Sequence, residues 1–343
     1  NLLGAAPLVS APGRAFEVET RWRETAAAQR ARNDSDIARQ CTRAVLHALE
    51  HDPGDVLVFL PGQGEIRRTV QLLTENALPR DCRVVPLYGD LSAAEQDAAI
   101  RPGGAGERKV VVATNIAETS LTIEGVRIVV DSGLARRSRF DPATGMSRLE
   151  TVRISKASAD QRRGRAGRTA SGVCYRLWSE SEHASLPAHT PPEIVEADLA
   201  PLALDLAEWG VVDPATLRWL DPPPGAALAQ ACELLESLDA IDADGRITAH
   251  GRALARLGAH PRLAHMIVRG DELGARRTAL EIAAVLGERD LLQSRGPERN
   301  ADLRFRIDAL ERGRIDESKD ALQISRDTYV DAGARQRALR AIE

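Results

Sequence analysis

Three short, mainly apolar runs set the strongest limit on what this chain can fold into. They are Val56–Leu60, Val110–Ala113 and Arg127–Asp131. Continuous apolar runs of this length are typical of parallel strands that are covered on both faces. Helical patterns separate them: one continues from Glu65 to Leu73, and another begins at a capping box of Ser92 and Glu95. Strands that alternate with helices predict a parallel α/β sheet with helices on both faces.

Two further strands fit this sheet. Val84–Tyr88 is strand-like, and its proline, Pro86, favours an edge position because proline cannot donate to a neighbouring strand. The alternating stretch from Gly13 to Trp22 is also strand-like. We expect Asp34 or Ser35 to cap the helix that follows it.

The charge of the chain is unevenly distributed. The whole chain has a net charge of −4, yet the segment 136–168 carries ten Arg and Lys residues against three Asp and Glu. A local basic segment on an acidic body is the electrostatic signature of a protein that binds a phosphate backbone locally. Aromatic residues make up only 3% of the chain, which argues against an aromatic platform for stacked bases.

The densest part of this basic segment is QRRGRAGR, residues 161–168. We expect Arg165 and Arg168, three positions apart, to share one face of a helix. Two guanidinium groups on one face suit a single polyphosphate, as in the arginine fingers of phosphoryl transfer. Taken alone, a run this short fits a solvated basic helix or a generic nucleic-acid patch better.

Three stretches, in this order, resemble motifs of the DEAH/RHA helicases. DVLVFLPGQGEI, residues 55–66, resembles motif IV; residues 109–123 resemble motif V; and residues 161–168 resemble motif VI. The surrounding sequence, including LYGDLSAAEQ at 87–96, is most similar to the bacterial HrpB-type branch of that family.

The resemblance implies three domains. We expect a second RecA-like α/β domain over residues 1–178, with a β-hairpin at about 136–155. A winged-helix domain is expected over 179–257, and a mainly α-helical bundle, the ratchet domain, over 258–343. The bundle is expected to be truncated.

The resemblance also implies roles for residues at the nucleotide. Arg165 and Arg168 are the expected arginine fingers, and Gln161 is expected to order the attacking water. Ser120, Thr122 and Glu124 are expected near the γ-phosphate and ribose of the nucleotide. For the hydroxyls, a turn-capping role is the alternative.

A second set is expected to bind a nucleic-acid backbone. The resemblance gives Thr114 a phosphate contact, and Gly62 and Gly89 backbone N–H contacts to the same strand. Lys156 and Ser158 are weaker candidates of the same kind. By contrast, Arg162 and Arg163 are expected to form salt bridges or interdomain contacts.

Two motifs of nucleotide hydrolysis are missing from these 343 residues: G-x-x-x-x-G-K-[ST] and Asp-Glu-x-His. In the family they lie in a first RecA-like domain on the N-terminal side. We therefore expect ATP, or another nucleoside triphosphate, with Mg²⁺ to be bound mainly by that domain, and this chain alone to be inactive. No aromatic residue stands near Ile100 to stack on adenine, which is consistent with loose nucleotide selectivity.

The expected partners are single-stranded RNA and the first RecA-like domain; phosphate contacts alone do not distinguish RNA from DNA. The alternative is a non-catalytic module that binds nucleic acid or ribonucleoprotein. Four scattered cysteines form no C-x-x-C pair, so neither a metal site nor a disulfide framework is indicated. No apolar run has membrane-spanning length, and a cytoplasmic location is expected.

Overall fold

The fold comes from a computed structural model of the chain. It describes residues 7, 9–10, 16–23, 36–76, 78–79, 81–104, 106–119, 121–142, 144–288, 290–294, 301–315, 323–325, 328–330 and 332–342. The chain divides into two compact units between Ala197 and Asp198. The division into three domains, with a winged helix at 179–257, stays a prediction.

The first unit is built on a six-stranded sheet in which all neighbouring strands are parallel. Its strands, in chain order, are β1 (Val18–Trp22), β2 (Asp55–Phe59), β3 (Cys82–Leu87), β4 (Arg108–Ala113), β5 (Val126–Asp131) and β8 (Gly172–Arg176). Their spatial order is β1-β8-β5-β2-β4-β3. The expected α/β sheet is confirmed, and β3 with its proline lies at an edge as predicted.

Helices follow most of these strands. They are α1 (Ile37–His51), α2 (Gln63–Glu75), α3 (Ala93–Ile100), α4 (Ile116–Thr119), α5 (Lys156–Gly164) and α6 (Glu180–Ala184). The capping box of Ser92 and Glu95 is present. The cap of α1 was placed wrongly by one or two residues: it is Asp36, whose carboxylate accepts from the amides of Ala38 and Arg39.

Alternate residues of the central strand explain its continuous apolar run. Val56 and Val58 belong to one buried cluster, whereas Leu57 and Phe59 belong to the cluster on the other side of the sheet. Both faces of β2 are therefore covered, and polar residues would be costly at these positions.

The predicted hairpin is formed by β6 (Leu134–Asp141) and β7 (Met146–Arg153). Its turn ends at Gly145, whose φ of +65° favours glycine. Beyond the sheet, the hairpin is held by the segment before the second unit. The Phe140 amide donates to the Glu196 carbonyl at 3.0 Å, and Arg137 pairs with the Glu196 carboxylate at 2.8 Å.

The second unit is mainly helical. Its helices are α7 (Ala200–Glu208), α8 (Gly225–Ser237), α9 (Ala249–Ala255), α10 (Pro261–Glu272), α11 (Arg276–Gly287), α12 (Leu303–Ile315) and α13 (Ala332–Ile342). A small turn joins α8 to α9 through an antiparallel bridge between Ile241 and Ile247. Within the described residues, no helix is both long and apolar enough to cross a membrane.

This unit also contains a small antiparallel sheet that the sequence patterns did not predict. Its strands are β9 (Leu292–Ser294), β10 (Gln323–Ser325) and β11 (Thr328–Val330), in the order β10-β11-β9. Each strand has three residues, too few for an alternating pattern to be recognised.

Candidate functional site at the carboxyl edge of the sheet

The predicted backbone-contact residues lie where three neighbouring strands end. Gly62 follows β2, Gly89 follows β3 and Thr114 follows β4, and these three strands are adjacent in the sheet. Ligands of parallel α/β sheets bind at this carboxyl edge. Gly89 is exposed, Thr114 is partly buried, and Gly62 is buried as the N-cap of α2.

The basic motif at 161–168 is not one α-helix as expected. Helix α5 ends at Gly164, and Arg165–Gly167 form a 3₁₀ turn. Residues three apart eclipse one another in a 3₁₀ turn, so Arg165 and Arg168 still point to the same side. The close approach made by Gly167 is internal: a Cβ there would lie 2.6 Å from the Phe16 carbonyl oxygen, beside β1.

The two expected fingers meet the loop that follows α4. The guanidinium of Arg165 donates to the Leu121 carbonyl at 2.7 Å and to the Glu118 carbonyl. Arg168 donates to the hydroxyl of Thr122 at 2.5 Å. Burial lowers the pKa of Arg165, and the positive charge of Arg168 lowers it further. The structure thus brings Arg165, Arg168 and Thr122 together.

Beneath these residues lies a buried ionic cluster centred on Arg162. Its guanidinium lies 2.9 Å from Glu118 Oε2 and 2.9 Å from Asp131 Oδ1, and it stacks over the Phe59 ring at 4.9 Å. Burial would lower the pKa of Arg162, but the two carboxylates outweigh it and raise the pKa. The expected salt-bridge role of Arg162 is confirmed, and its partners come from α4 and the end of β5.

A second ion pair holds α5 from another side. Arg176, at the end of β8, lies 2.8 Å from Asp160, and its guanidinium lies 4.8 Å from the ring centre of Trp22 and 5.6 Å from that of Trp178. The arginine-bearing segment is therefore fixed to the sheet at two points. Such fixation reduces the conformational entropy lost when a side chain meets its ligand.

The start of α5 is occupied by its own chain. Ser155 caps the Ser158 amide at 3.1 Å, and the amides of Lys156 and Ala157 donate to the carbonyls of Pro187 and Ala188. Ser158 itself is buried. A phosphate approaching this end would therefore meet the Lys156 side chain rather than these amides.

Gly62 has a charged neighbour that the sequence did not indicate. The guanidinium of Arg136, from the hairpin, occupies the space that a side chain at Gly62 would need. A Cβ added to Gly62 would lie 2.7 Å from Arg136 Cζ. Arg136 pairs with Glu65 Oε1 at 3.3 Å, while 40% of its side chain stays exposed. Glu65 Oε2 would lie 2.9 Å from the same Cβ, so the Glu65 carboxylate already meets the cation and the helix N-terminus at this point.

A cleft of about 440 Å³ lies between α4, α5 and the hairpin. Gln161, Asn115, Arg153 and His189 are among its lining residues, so Gln161 faces this cleft whereas Arg165 and Arg168 line a separate small pocket. Glu124 lies exposed in the turn before β5. Ser120 lies outside the described residues.

Within the described part of the chain, no group of three or more His, Cys, Asp or Glu residues is arranged to hold a metal ion. The guanidinium groups of Arg165 and Arg168 and the Thr122 hydroxyl suit the phosphates of a nucleotide.

Two residues of this site, Glu118 and Asp131, were not predicted from the sequence. Glu118 and Asp131 meet Arg162 although they are separated from it by 44 and 31 positions. One signal for Asp131 was its place as a carboxylate at the end of a buried strand, where a charge needs a partner.

Comparison with known proteins matches the chain to helicases. Residues 38–170 match the family model described as the helicase conserved C-terminal domain. The chain is 44% identical to the ATP-dependent RNA helicase HrpB of Escherichia coli over 288 residues, 84% of this chain and 35% of that protein. It is 38% identical to the pre-mRNA-splicing factor ATP-dependent RNA helicase prp22 of Schizosaccharomyces pombe, covering 82% of this chain and 24% of that protein.

The fold is similar to a solved one. The crystal structure of the E. coli DEAH/RHA helicase HrpB superposes with a TM-score of 0.80 at 39% identity, covering 99% of this chain and 39% of that one. The chain thus spans about a third or less of the length of these relatives.

Proposed function

The chain belongs to the DEAH/RHA family of helicases, and we propose that it supplies one half of an ATP-driven RNA helicase. This half provides the arginine fingers and part of the nucleic-acid path. A domain that carries the P-loop and DExH motifs provides the other half. RNA is the substrate because the relatives named above are RNA helicases.

The observation that carries this proposal is the meeting of Arg165 and Arg168 with the loop at 118–122. Both arginines reach one side of that loop, at 2.7 Å from the Leu121 carbonyl and 2.5 Å from the Thr122 hydroxyl. Paired guanidinium groups aimed at one place stabilise the charge that develops on a transferring phosphoryl group. We further propose that Gln161, which lines the neighbouring cleft, orders the attacking water.

Mg²⁺, when bound, neutralises phosphate charge during transfer. We assign its ligands and the phosphate cradle to the P-loop half. The half described here orients the nucleotide. Arg165 keeps further N–H groups for a phosphate oxygen after donating to two carbonyls, because a guanidinium has five donors. Thr122 and Glu124 bind the ribose side, and Ser120 the γ-phosphate side.

The nucleic-acid path follows the carboxyl ends of β2, β4 and β3. Thr114 and the N–H groups near Gly62 and Gly89 bind the phosphates of one strand, with Arg136 and Lys156 adding positive charge. Contacts of this kind are independent of base sequence and sensitive to salt. Movement of this half relative to the P-loop half during each cycle of hydrolysis would then advance the strand.

ATP turnover tests the half-site proposal. The 343-residue chain alone is expected to show no turnover, with or without single-stranded RNA. A longer protein that joins it to the P-loop and DExH domain is expected to hydrolyse ATP, and a variant of that protein without its P-loop lysine is the control. Robust turnover by the chain alone would mean that a complete nucleotide site lies within it.

A further inference from the structure

We propose that Glu118 is the positioning residue that couples the nucleic-acid contacts to the arginine fingers. This inference rests on the function proposed above and deepens it. Glu118 uses its carboxylate and its backbone carbonyl on two different arginines of the same basic motif.

The carboxylate of Glu118 fixes the base of the motif. Glu118 Oε2 lies 2.9 Å from Arg162 Nε, and only 1% of the Arg162 side chain is exposed. An ion pair that is shielded from solvent in this way keeps a defined geometry, because leaving either charge unpaired costs free energy. On its other side Arg162 is fixed to Asp131 at the end of a sheet strand. Arg162 thereby links the Glu118 carboxylate to the end of β5.

The backbone of Glu118 orients a finger. Its carbonyl accepts from the guanidinium of Arg165, and the Leu121 carbonyl accepts from the same group at 2.7 Å. The direction of the guanidinium therefore depends on where the carbonyls of Glu118 and Leu121 lie. A shift of about 1 Å at a catalytic group is enough to cost about 100-fold in rate.

The proposed nucleic-acid contact adjoins the same short helix. Thr114 lies two residues before the first residue of α4, and its carbonyl accepts from the Ala117 amide at 3.3 Å. The Asn115 carbonyl accepts from the Glu118 amide at 2.9 Å. One turn of chain thus joins the phosphate contact at Thr114 to the residue that orients Arg165. A bound strand that fixes Thr114 therefore also fixes the first turn of α4, which carries the Glu118 carbonyl that Arg165 contacts.

This arrangement makes a specific prediction about RNA stimulation. A bound strand holds α4 in place, and Glu118 converts that placement into a correctly oriented Arg165. Without the Glu118 side chain the arginine fingers are still present, but their orientation no longer depends on whether a nucleic-acid strand is bound at Thr114. Glu118 is therefore expected to affect the ratio of ATP turnover with RNA to turnover without it.

The test uses the longer protein that contains both halves and single-stranded oligo(U) as the probe. Glu118→Ala is expected to lower the stimulation ratio by about tenfold, while oligo(U) affinity changes by less than about threefold. Loss of folded protein lowers both turnover rates equally and leaves the ratio unchanged, so a merely structural role would not move this readout. Glu118→Gln keeps an acceptor for Arg162 and is expected to retain part of the stimulation.

The outcomes separate the two claims. A wild type that oligo(U) stimulates, with equal stimulation of both Glu118 variants, overturns the role of Glu118 and leaves the proposed function intact. A wild type whose turnover does not respond to oligo(U) overturns both the coupling and the RNA part of the proposed function. If Glu118→Ala fails to fold, the ratio measured for Glu118→Gln decides: an unchanged ratio contradicts the inference.

Discussion

Arg162 Nη1 lies 2.9 Å from Asp131 Oδ1, and both side chains are almost completely buried. This pair joins the basic motif to the end of β5, and Glu118 completes it from α4. A charge buried without its partner is strongly unfavourable, whereas the intact pair contributes mainly a fixed geometry. The consequences for stability and for activity can be measured separately.

Removal of the arginine should destabilise the first unit. Arg162→Ala leaves the buried Asp131 and the partly buried Glu118 without this cation, and we expect a loss of about 3–5 kcal/mol in the free energy of unfolding. Urea unfolding monitored by tryptophan fluorescence measures it, since Trp178 packs in this unit. Arg163→Ala, at a half-exposed neighbour, is the matched control and should change the value by less than about 1 kcal/mol. Equal effects of the two variants would contradict the assigned burial.

The contact between Gly62 and Arg136 predicts a binding defect with little loss of stability. In Gly62→Ala the new Cβ meets the guanidinium of Arg136 and must displace it, because the two would be 2.7 Å apart. The φ of Gly62 is −158°, so the backbone accepts alanine without strain. We expect single-stranded RNA affinity to fall by about three- to tenfold, a fraction of what one phosphate contact contributes.

Gly64 provides the control for that variant. It lies in the same helix, and an added Cβ there meets no atom within 4 Å. Gly64→Ala should leave RNA affinity unchanged and stabilise the helix by about 0.5–1 kcal/mol. Fluorescence anisotropy with labelled oligo(U) compares the two. Identical affinities would remove Gly62 from the proposed path.

Salt dependence tests whether the backbone of the strand is what the protein binds. Arg136→Ala should lower the slope of log affinity against log salt concentration by about one. Arg39→Ala removes an exposed arginine from α1 and should leave the slope unchanged. Binding of oligo(U) without any salt dependence would contradict the proposed phosphate contacts.

The second unit has a pH-dependent contact at its start. Asp198 Oδ2 lies 2.9 Å from His260 Nε2, and Asp198 Oδ1 accepts from the Ala200 amide at 2.9 Å. Burial opposes these contacts, but the hydrogen bonds from His260 and the Ala200 amide hold the pKa of Asp198 below its ordinary value of 3.8. A carboxylate whose pKa is lower in the folded state stabilises the fold above its unfolded-state pKa.

The Asp198 contribution should therefore be present at neutral pH and be lost as the pH falls through the lowered pKa. Asp198→Asn is expected to cost about 1–2 kcal/mol at pH 7, and less below about pH 4. Urea unfolding of wild type and variant over this range measures the difference. Asp205→Asn, on the exposed side of α7, is the control. A difference that grows as the pH falls below about 4 would contradict the sign.

The sheet was largely predictable because its signals are local. The runs at β2, β4 and β5 are apolar without alternation, and they are the strands buried on both faces. Pro86 predicted an edge because the loss of one N–H donor has a direct consequence for pairing. The strands at 292–294, 323–325 and 328–330 escaped prediction because three residues carry too little pattern.

The candidate site was predictable where residue type alone indicates chemistry. The spacing of Arg165 and Arg168 predicted that both side chains lie on one side of the segment. It did not predict the 3₁₀ turn at 165–167, because i,i+3 spacing fits both helix types. The contacts of Arg162 with Glu118 and Asp131 depend on tertiary packing over tens of residues, which no local pattern encodes. The roles of all the candidate site residues, at the nucleotide and along the nucleic acid, stay predictions.

The most direct test of the central claim is ATP turnover by Arg165→Ala in the longer protein that contains both halves. We predict a fall in kcat of about 10³-fold or more, because a finger acts mainly on the transition state. The Kd for single-stranded RNA should stay within about threefold of wild type, since Arg165 contacts the loop at 118–121 rather than the nucleic-acid path. Arg163→Ala serves as the control in the same segment. Retained turnover with weakened RNA binding would instead identify a nucleic-acid-binding module without a catalytic part.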